Sequence, residues 1–209
     1  MIALGVMGLE LTDERLVELF QQGDAQAFDM LVERYEQKVF NMAFRLTGNQ
    51  QDACDLAQEA LLKVYRYLAQ FRSQSTFSTW LYRIVTNTFY DEMRKKKRRP
   101  SIAVSLDETI ETADGEITRE LASDDPGPEE VSLQLELQEL VQQALRRLPE
   151  DYRVVLVLRD LQDHSYEEIA EILCLNLGTV KSRISRARLA FRQLVQHEEQ
   201  IGEHWRQRD

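Results

Sequence analysis

A short basic stretch near the end of the chain has the residue types that bind phosphate. Five cations and no carboxylate lie between residues 181 and 192: Lys181, Arg183, Arg186, Arg188 and Arg192. Val180 and Ile184 have the spacing of buried positions on a helix, which would leave those cations on the outer face. Such a helix could be an ordinary solvated surface, but the absence of acids favours contact with the phosphates of DNA.

The residues before this helix predict how it is positioned. Ser165 and Glu168 have the spacing of a capping box, so a short helix should begin after Ser165. Residues 174–176 are expected to form a tight turn, and the basic helix should begin near Leu177. A capped helix, a three-residue turn and a second, basic helix predict a helix-turn-helix, with the second helix in a major groove. We expect His164, just before the first helix, to be an exposed turn residue.

No catalytic or metal-binding pattern accompanies these helices. The sequence has no P-loop, no GxSxG and no metal-ligand spacing. Cys54 and Cys174 lie in no CxxC or Cys/His cluster, which favours two half-buried thiols over a disulfide or a zinc site. The paired carboxylates fall in a predicted linker, where acid–base geometry cannot be held in place. We therefore predict no catalytic residue, no metal, no cofactor and no enzyme activity.

Charge is unevenly distributed in this acidic chain of 209 residues, whose net charge is −10. Residues 101–140 contain twelve carboxylates and one cation, whereas residues 63–99 contain ten cations and two acids. The acidic segment could serve solubility, or it could occupy a path made for nucleic acid. Because such a segment would oppose phosphate binding, we expect the protein alone to bind duplex DNA weakly and to need a larger partner.

Apolar spacing predicts an all-α fold, with two small helical domains joined by a flexible acidic linker. Four helices are expected first: one capped by Thr12, one opening at Asp24, and two over residues 50–68 and 76–97. Pro128 suits the first turn of a further helix. The predicted boundaries are residues 12–99 for the first domain, 100–128 for the linker and 129–196 for the second, which contains the helix-turn-helix.

Two further features of the first domain point to nucleic acid. A run of cations ends its last helix, and phosphate contact is favoured over a plain solvated helix end: Arg94, Lys95, Lys96, Lys97, Arg98 and Arg99. The loop before that helix could hold an unstacked base with Arg72, Ser73 and Gln74. Trp80 falls on the apolar stripe and is predicted to belong to the core.

The chain shows neither a signal peptide nor a membrane span, so a cytoplasmic protein is expected.

Three segments in this order resemble an extracytoplasmic-function (ECF) sigma factor, a two-domain subunit of bacterial RNA polymerase in the sigma-70 family. They are DACDLAQEALLKVYRYLAQF, TFSTWLYRIVTNTFYDEMRKKKRR, and the stretch from LPEDYR to FRQL that contains the helix-turn-helix. The likeness extends from about residue 12 to 195. Asp163-His164 departs from the family, which often has a glycine-containing turn there, and the tail from Gln196 extends past the family's usual end.

The resemblance implies a role for each motif. Asp55, Gln58 and Glu59 would dock on the β′ clamp helices of core polymerase, with the β flap as a second polymerase contact. The minus-ten element would be melted, and its flipped base held, by residues of the loop before the fourth helix, of that helix and of the basic run at its end: Arg72, Ser73, Gln74, Arg83, Asn87, Lys95, Lys96, Lys97, Arg98 and Arg99. The minus-thirty-five element would be read by Thr179, Lys181, Ser182, Arg183, Arg186 and Arg188.

The resemblance also sets the expected partners, which are core RNA polymerase and promoter DNA, with no insertion into a membrane. It allows an anti-sigma protein as a regulator, although the sequence identifies none. A free-standing helix-turn-helix regulator, which binds operators without polymerase, remains the alternative interpretation, and the acidity of the chain disfavours it.

Overall fold

The computed structural model describes residues 11–98 and 128–206, with side chains described over 11–98 and 134–196. The described part of the chain is helical, without a β-strand. Its helices are α1 (Asp13–Gln21), α2 (Gln26–Thr47), α3 (Gln50–Leu68), α4 (Phe77–Arg98), α5 (Pro128–Arg147), α6 (Glu150–Leu156), α7 (Tyr166–Leu173) and α8 (Leu177–Arg206), with a π turn at Val157–Leu161 after α6. The all-α prediction is confirmed. Most of the predicted linker, residues 100–127, lies outside the described residues.

Helices α1 to α4 form what we call the N-terminal unit, and their ends follow from local capping. The Thr12 side chain accepts a hydrogen bond from the backbone N–H of Arg15, and Asn49 caps α3 through the N–H of Asp52. Helix α2 begins at Gln26, two residues later than Asp24, whose carboxylate accepts from the Gln26 N–H at 3.0 Å.

Helices α5 to α8 form the C-terminal unit, where the region between α6 and α7 differs from expectation. Helix α6 widens into the π turn at Val157. Asp163 then adopts a left-handed backbone, with φ of 56°, which explains why a glycine would also suit this turn. His164 is only 8% exposed, so the prediction of an exposed histidine is wrong. It is buried because its ring packs edge-on against Tyr82 of α4, with ring centroids 4.7 Å apart.

The two units pack against each other and share one buried core. Gln142 of α5 is buried, and its amide donates to the carbonyls of Phe44 and Arg45 at the end of α2, at 3.3 Å each. The Arg153 guanidinium of α6 donates to the carbonyl of Leu46. Gly48 ends α2 with φ of 85°, and the side chain of Arg146 lies so close that a β-carbon at position 48 would clash with it.

Candidate nucleic-acid interface

The predicted helix-turn-helix is present, and its ends are capped as the sequence indicated. Ser165 and Glu168 form the capping box, so each side chain accepts from the other residue's backbone N–H. Cys174 ends α7 in a left-handed conformation and is exposed rather than half-buried; both cysteines are free thiols. The Asn176 side chain accepts from the Thr179 N–H at 2.8 Å and so caps α8, whose first turn contains no acid.

The predicted reading residues of α8 are only partly exposed. Lys181, Ser182 and Arg186 are exposed, whereas Thr179 and Arg183 are half-buried. Val180 and Ile184 are buried and hold the helix to the core, as expected. The exposed side chains therefore form one face that a DNA groove could contact.

Carboxylates of the C-terminal unit hold two of the α8 cations. Arg183 lies 3.5 Å from the carboxylate of Asp151, and Arg188 forms an ion pair with Asp160. Asp151 also accepts from the Tyr90 hydroxyl of α4, and burial together with this carboxylate raises the pKa of Tyr90. These acidic partners carry no local sequence signal, because they lie outside α8 and meet it only in the folded chain.

The loop between α3 and α4 forms an open, aromatic-lined cavity of about 220 Å³. Phe71 packs on Trp80 with ring centroids 4.9 Å apart, and Arg72, Gln74 and Arg83 complete the lining together with neighbouring loop residues. Trp80 is half-buried, so it both packs on the core, as predicted, and faces this cavity. Ser73 is exposed and has a left-handed backbone with φ of 52°.

Gln21 of α1 holds this loop in place through hydrogen bonds that no local sequence pattern predicts. Its side-chain amide donates to the carbonyl of Leu68 at 3.2 Å and to that of Phe71 at 2.9 Å. One NH₂ group thus joins the end of α3 to the residue that lines the cavity. No local sequence signal marks Gln21, because its partners lie nearly fifty residues away.

Helix α4 continues from the cavity to the basic run, and its polar side chains have varied surroundings. Asn87 is exposed, whereas Arg83 is half-buried and donates to the carbonyl of Glu171 in α7 at 2.6 Å. The basic run is exposed, but Lys96 pairs with Asp52 at 2.7 Å. This hydrogen bond from Lys96 lowers the pKa of the Asp52 carboxyl.

The other lysines of the run are paired as well. Lys95 lies 2.7 Å from Glu92 of the same helix, and Lys97 lies 2.9 Å from Glu150 of α6. The hydrogen bond from Lys97 lowers the pKa of Glu150. These contacts are solvent-exposed ion pairs, which are individually weak, so phosphates could replace them at small cost. Arg98 is exposed, and Arg99 lies outside the described residues.

The outer face of α3 contains the predicted docking residues. Asp55 and Gln58 are exposed one turn apart, and Leu62 extends the same face with 52% of its surface exposed. Glu59 is half-buried and lies 3.7 Å from Lys63. A mixed-charge cleft of about 300 Å³ lies beside this face, between α3 and α4, and its lining includes Asp55 and Glu59. In the described side chains, no three His, Cys, Asp or Glu residues cluster as metal ligands would.

Comparison with known proteins identifies both units. The family described as sigma-70 region 2 matches residues 31–99, and the family described as sigma-70, region 4 matches residues 138–191. The chain is 41% identical over 184 residues to the RNA polymerase sigma-H factor of Pseudomonas aeruginosa. The aligned residues cover 88% of this chain and 94% of that protein. This chain belongs to the ECF group of sigma-70 factors. It is an alternative sigma factor that directs transcription.

Further sigma factors resemble this one in sequence and in structure. The ECF RNA polymerase sigma-E factor of Escherichia coli strain K12 is 42% identical over 191 residues, or 91% of this chain and 97% of that protein. The sigma factor RpoE of Bartonella quintana, solved in complex with the anti-sigma factor NepR, superposes with a TM-score of 0.62 at 26% identity. That match covers 82% of this sigma factor and 98% of the Bartonella chain. No helix in the described part of the chain is long and apolar enough to cross a membrane.

Proposed function

We propose that this sigma factor binds core RNA polymerase through the exposed face of α3 and reads promoter DNA with two separate surfaces. Asp55, Gln58 and Glu59 would contact the β′ clamp helices, and the C-terminal unit would contact the β flap. The observation that carries this proposal is the pairing of a capped, cation-bearing α8 in one unit with an aromatic-lined cavity beside basic α4 in the other.

The cavity beside α4 suits an unstacked base of the minus-ten element. Phe71 and Trp80 offer aromatic surface, and stacking of one base on such a side chain contributes about 1–3 kcal/mol. Arg72 and Gln74 line the cavity, and Ser73 lies between them in the loop, so all three could hydrogen-bond to the base or its phosphates. Melting would thus be assisted by a site that binds only the flipped-out base.

Beyond the cavity, α4 and its basic end would bind the backbone of the opened strands. Arg83 and Asn87 lie along the helix, and phosphates would replace the exposed acidic partners of Lys95, Lys96 and Lys97 and would also contact Arg98 and Arg99. Exposed Lys181, Ser182 and Arg186 would contact base edges and phosphates of the minus-thirty-five element, together with Thr179, Arg183 and Arg188.

In this proposal the chain acts by binding and strand separation, with no catalytic group, metal or cofactor of its own. It would work in the cytoplasm, where core polymerase and promoter DNA are found. An anti-sigma factor is a further partner, supported by the complex that the Bartonella relative forms with NepR.

Two variants separate docking from reading. Arg186→Ala removes an exposed α8 cation, so run-off transcription should fall at promoters that depend on the upstream element and change little at promoters with a strong minus-ten element. Gln58→Ala combined with Glu59→Ala should lower transcription at every promoter and weaken binding to core polymerase. Identical promoter spectra for the two variants would refute this division of roles.

A further inference from the structure

Lys63 lies between α3 and α4 and belongs to none of the surfaces proposed above. Its ammonium nitrogen lies 3.2 Å from the hydroxyl oxygen of Thr88 and 3.7 Å from a carboxylate oxygen of both Glu59 and Asp91. An ammonium group has three N–H donors, so it can face all three oxygens at once. Lys63 therefore joins a proposed docking residue of α3 to two residues of α4.

The α4 side of this arrangement is fixed. Thr88 is fully buried, and its hydroxyl donates to the carbonyl of Ile84 at 2.8 Å, which leaves the hydroxyl oxygen to accept from Lys63. Asp91 is held from its other side by Arg94, at 2.9 Å. The ammonium of Lys63 is thus held in place relative to the α4 backbone, and its side chain is only 25% exposed.

The Glu59–Lys63 pair would be weakly ordered without those α4 contacts. The two residues are four positions apart on α3 with the acid first, which is the favourable order, but exposed pairs of this kind contribute little. Here Thr88 and Asp91 already hold the lysine, so its rotamer freedom is lost on folding rather than on docking. The Glu59 carboxylate, 43% exposed, is therefore oriented before a partner arrives.

We propose that Lys63 is a positioning residue for core polymerase docking, which acts by holding the Glu59 carboxylate in the orientation that the polymerase contacts. This inference rests on the proposed docking role of Glu59. Because the carboxylate is ordered in advance, docking does not have to order it, and core affinity should be higher with Lys63 than without it.

The positive charge of Lys63 could also oppose docking, since it lies beside an acid that a donor group of the polymerase would contact. Two features make that opposition small. Asp91 lies as close to the ammonium as Glu59 does and compensates its charge. An ionised carboxylate has two oxygens with about four lone-pair sites, so Glu59 can accept from Lys63 and from the polymerase together.

A double-mutant cycle on core affinity tests the proposal. Lys63→Met keeps a long side chain and removes its charge, and Glu59→Gln removes the charge that the lysine holds. Full-length variants would compete with the labelled, unsubstituted chain for core polymerase, and fluorescence anisotropy would give their relative dissociation constants. Arg15→Met is the matched control, because Arg15 forms an exposed ion pair with Glu18 on α1 and lies in none of the proposed surfaces.

Lys63→Met should weaken core binding roughly two- to five-fold, the range expected when an exposed ion pair that orders a contact is lost. In a chain that already contains Glu59→Gln, Lys63→Met should weaken binding by less than about 1.5-fold, because the lysine then has no carboxylate to position. Arg15→Met should leave the affinity unchanged. Additive effects of the two substitutions, or a Lys63→Met chain that binds as tightly as the unsubstituted one or more tightly, would overturn the proposal.

Thr88→Val tests the anchor on α4 separately. Valine lacks the oxygen that accepts from Lys63, so Thr88→Val should weaken core binding but add little to the effect of Lys63→Met. Thr88→Ser, which keeps the hydroxyl, is the control and should bind normally. Unchanged affinity of the Thr88→Val chain, or an effect fully additive with that of Lys63→Met, would overturn the role of α4 in holding the lysine.

The same cycle distinguishes this inference from the function on which it rests. Unchanged core affinity of the Glu59→Gln chain would refute the proposed docking role of Glu59, whatever the effect of Lys63→Met. Weaker binding by the Glu59→Gln chain, together with additive effects, would refute only the positioning by Lys63 and would leave the docking role of Glu59 in place.

Discussion

Arg153 is the residue whose removal should most disturb the joining of the two units. Its side chain is buried, with the residue 8% exposed, and its guanidinium donates to the carbonyls of Arg146 at 2.7 Å and Leu148 at 3.2 Å. It also donates to the carbonyl of Leu46 at the end of α2. The last carbonyls of a helix have no partner within the helix, so this one cation satisfies the ends of both α2 and α5.

The expected cost of Arg153→Met follows from those bonds. Hydrogen bonds from a charged donor contribute about 1.5–3 kcal/mol each, and three carbonyls would lose theirs. Removing the guanidinium also removes the cost of burying its charge, which offsets part of that loss. We expect a net destabilisation of about 2–4 kcal/mol, which lowers the melting temperature by roughly 4–16 °C in a chain of this size.

Thermal unfolding followed by circular dichroism measures this effect. Arg66→Met is the matched control, because Arg66 is exposed on α3 and its replacement should leave the melting temperature nearly unchanged. A melting temperature for Arg153→Met within about 2 °C of the original chain, or above it, would show that desolvation outweighs the three bonds and would refute this reasoning.

Two further predictions concern residues that the structure, rather than the sequence, brings into view. Burial lowers the pKa of His164, although Glu168 and Asp163 oppose this shift, and a lowered histidine pKa gives stability that is fully present above the ordinary histidine pKa and is lost as pH falls below it. His164→Gln should therefore reduce the fall in melting temperature between pH 7.5 and pH 5.5. An unchanged fall would contradict this role. Gln21→Glu replaces the two N–H donors of the side-chain amide with carboxylate oxygens that face two carbonyls, so it should weaken binding of single-stranded minus-ten DNA to the polymerase holoenzyme several-fold. Gln22→Glu, one residue further on, is the control and should not weaken that binding. Equal effects of the two variants would show that only the added charge matters.

Local signals in the sequence predicted the helices well, because capping and apolar spacing act over a few residues. Asn49 and Gly48 bracket the start of α3, and the predicted range of 50–68 matches the structure. The capping box at Ser165 likewise defined the start of α7. The cation-bearing α8 and the all-α fold followed from the same short-range patterns.

Contacts between distant segments could not be predicted in this way. The burial of His164 depends on Tyr82, and the role of Arg153 depends on the end of α2, both far away in sequence. An arginine in LPEDYR carries no local sign that it will be buried against carbonyls. For the same reason, the sequence marked Arg183 as a reading residue but did not indicate that Asp151 holds it.

The most direct test of the central claim measures promoter recognition with and without polymerase. A labelled promoter library would be incubated with the purified chain alone, with sigma-free core polymerase alone, and with both together. The account predicts selective binding and run-off transcripts only when both are present, with two sequence elements enriched among the bound promoters. Tight, selective binding by the chain alone, unchanged by core polymerase, would contradict it and would indicate a free-standing regulator.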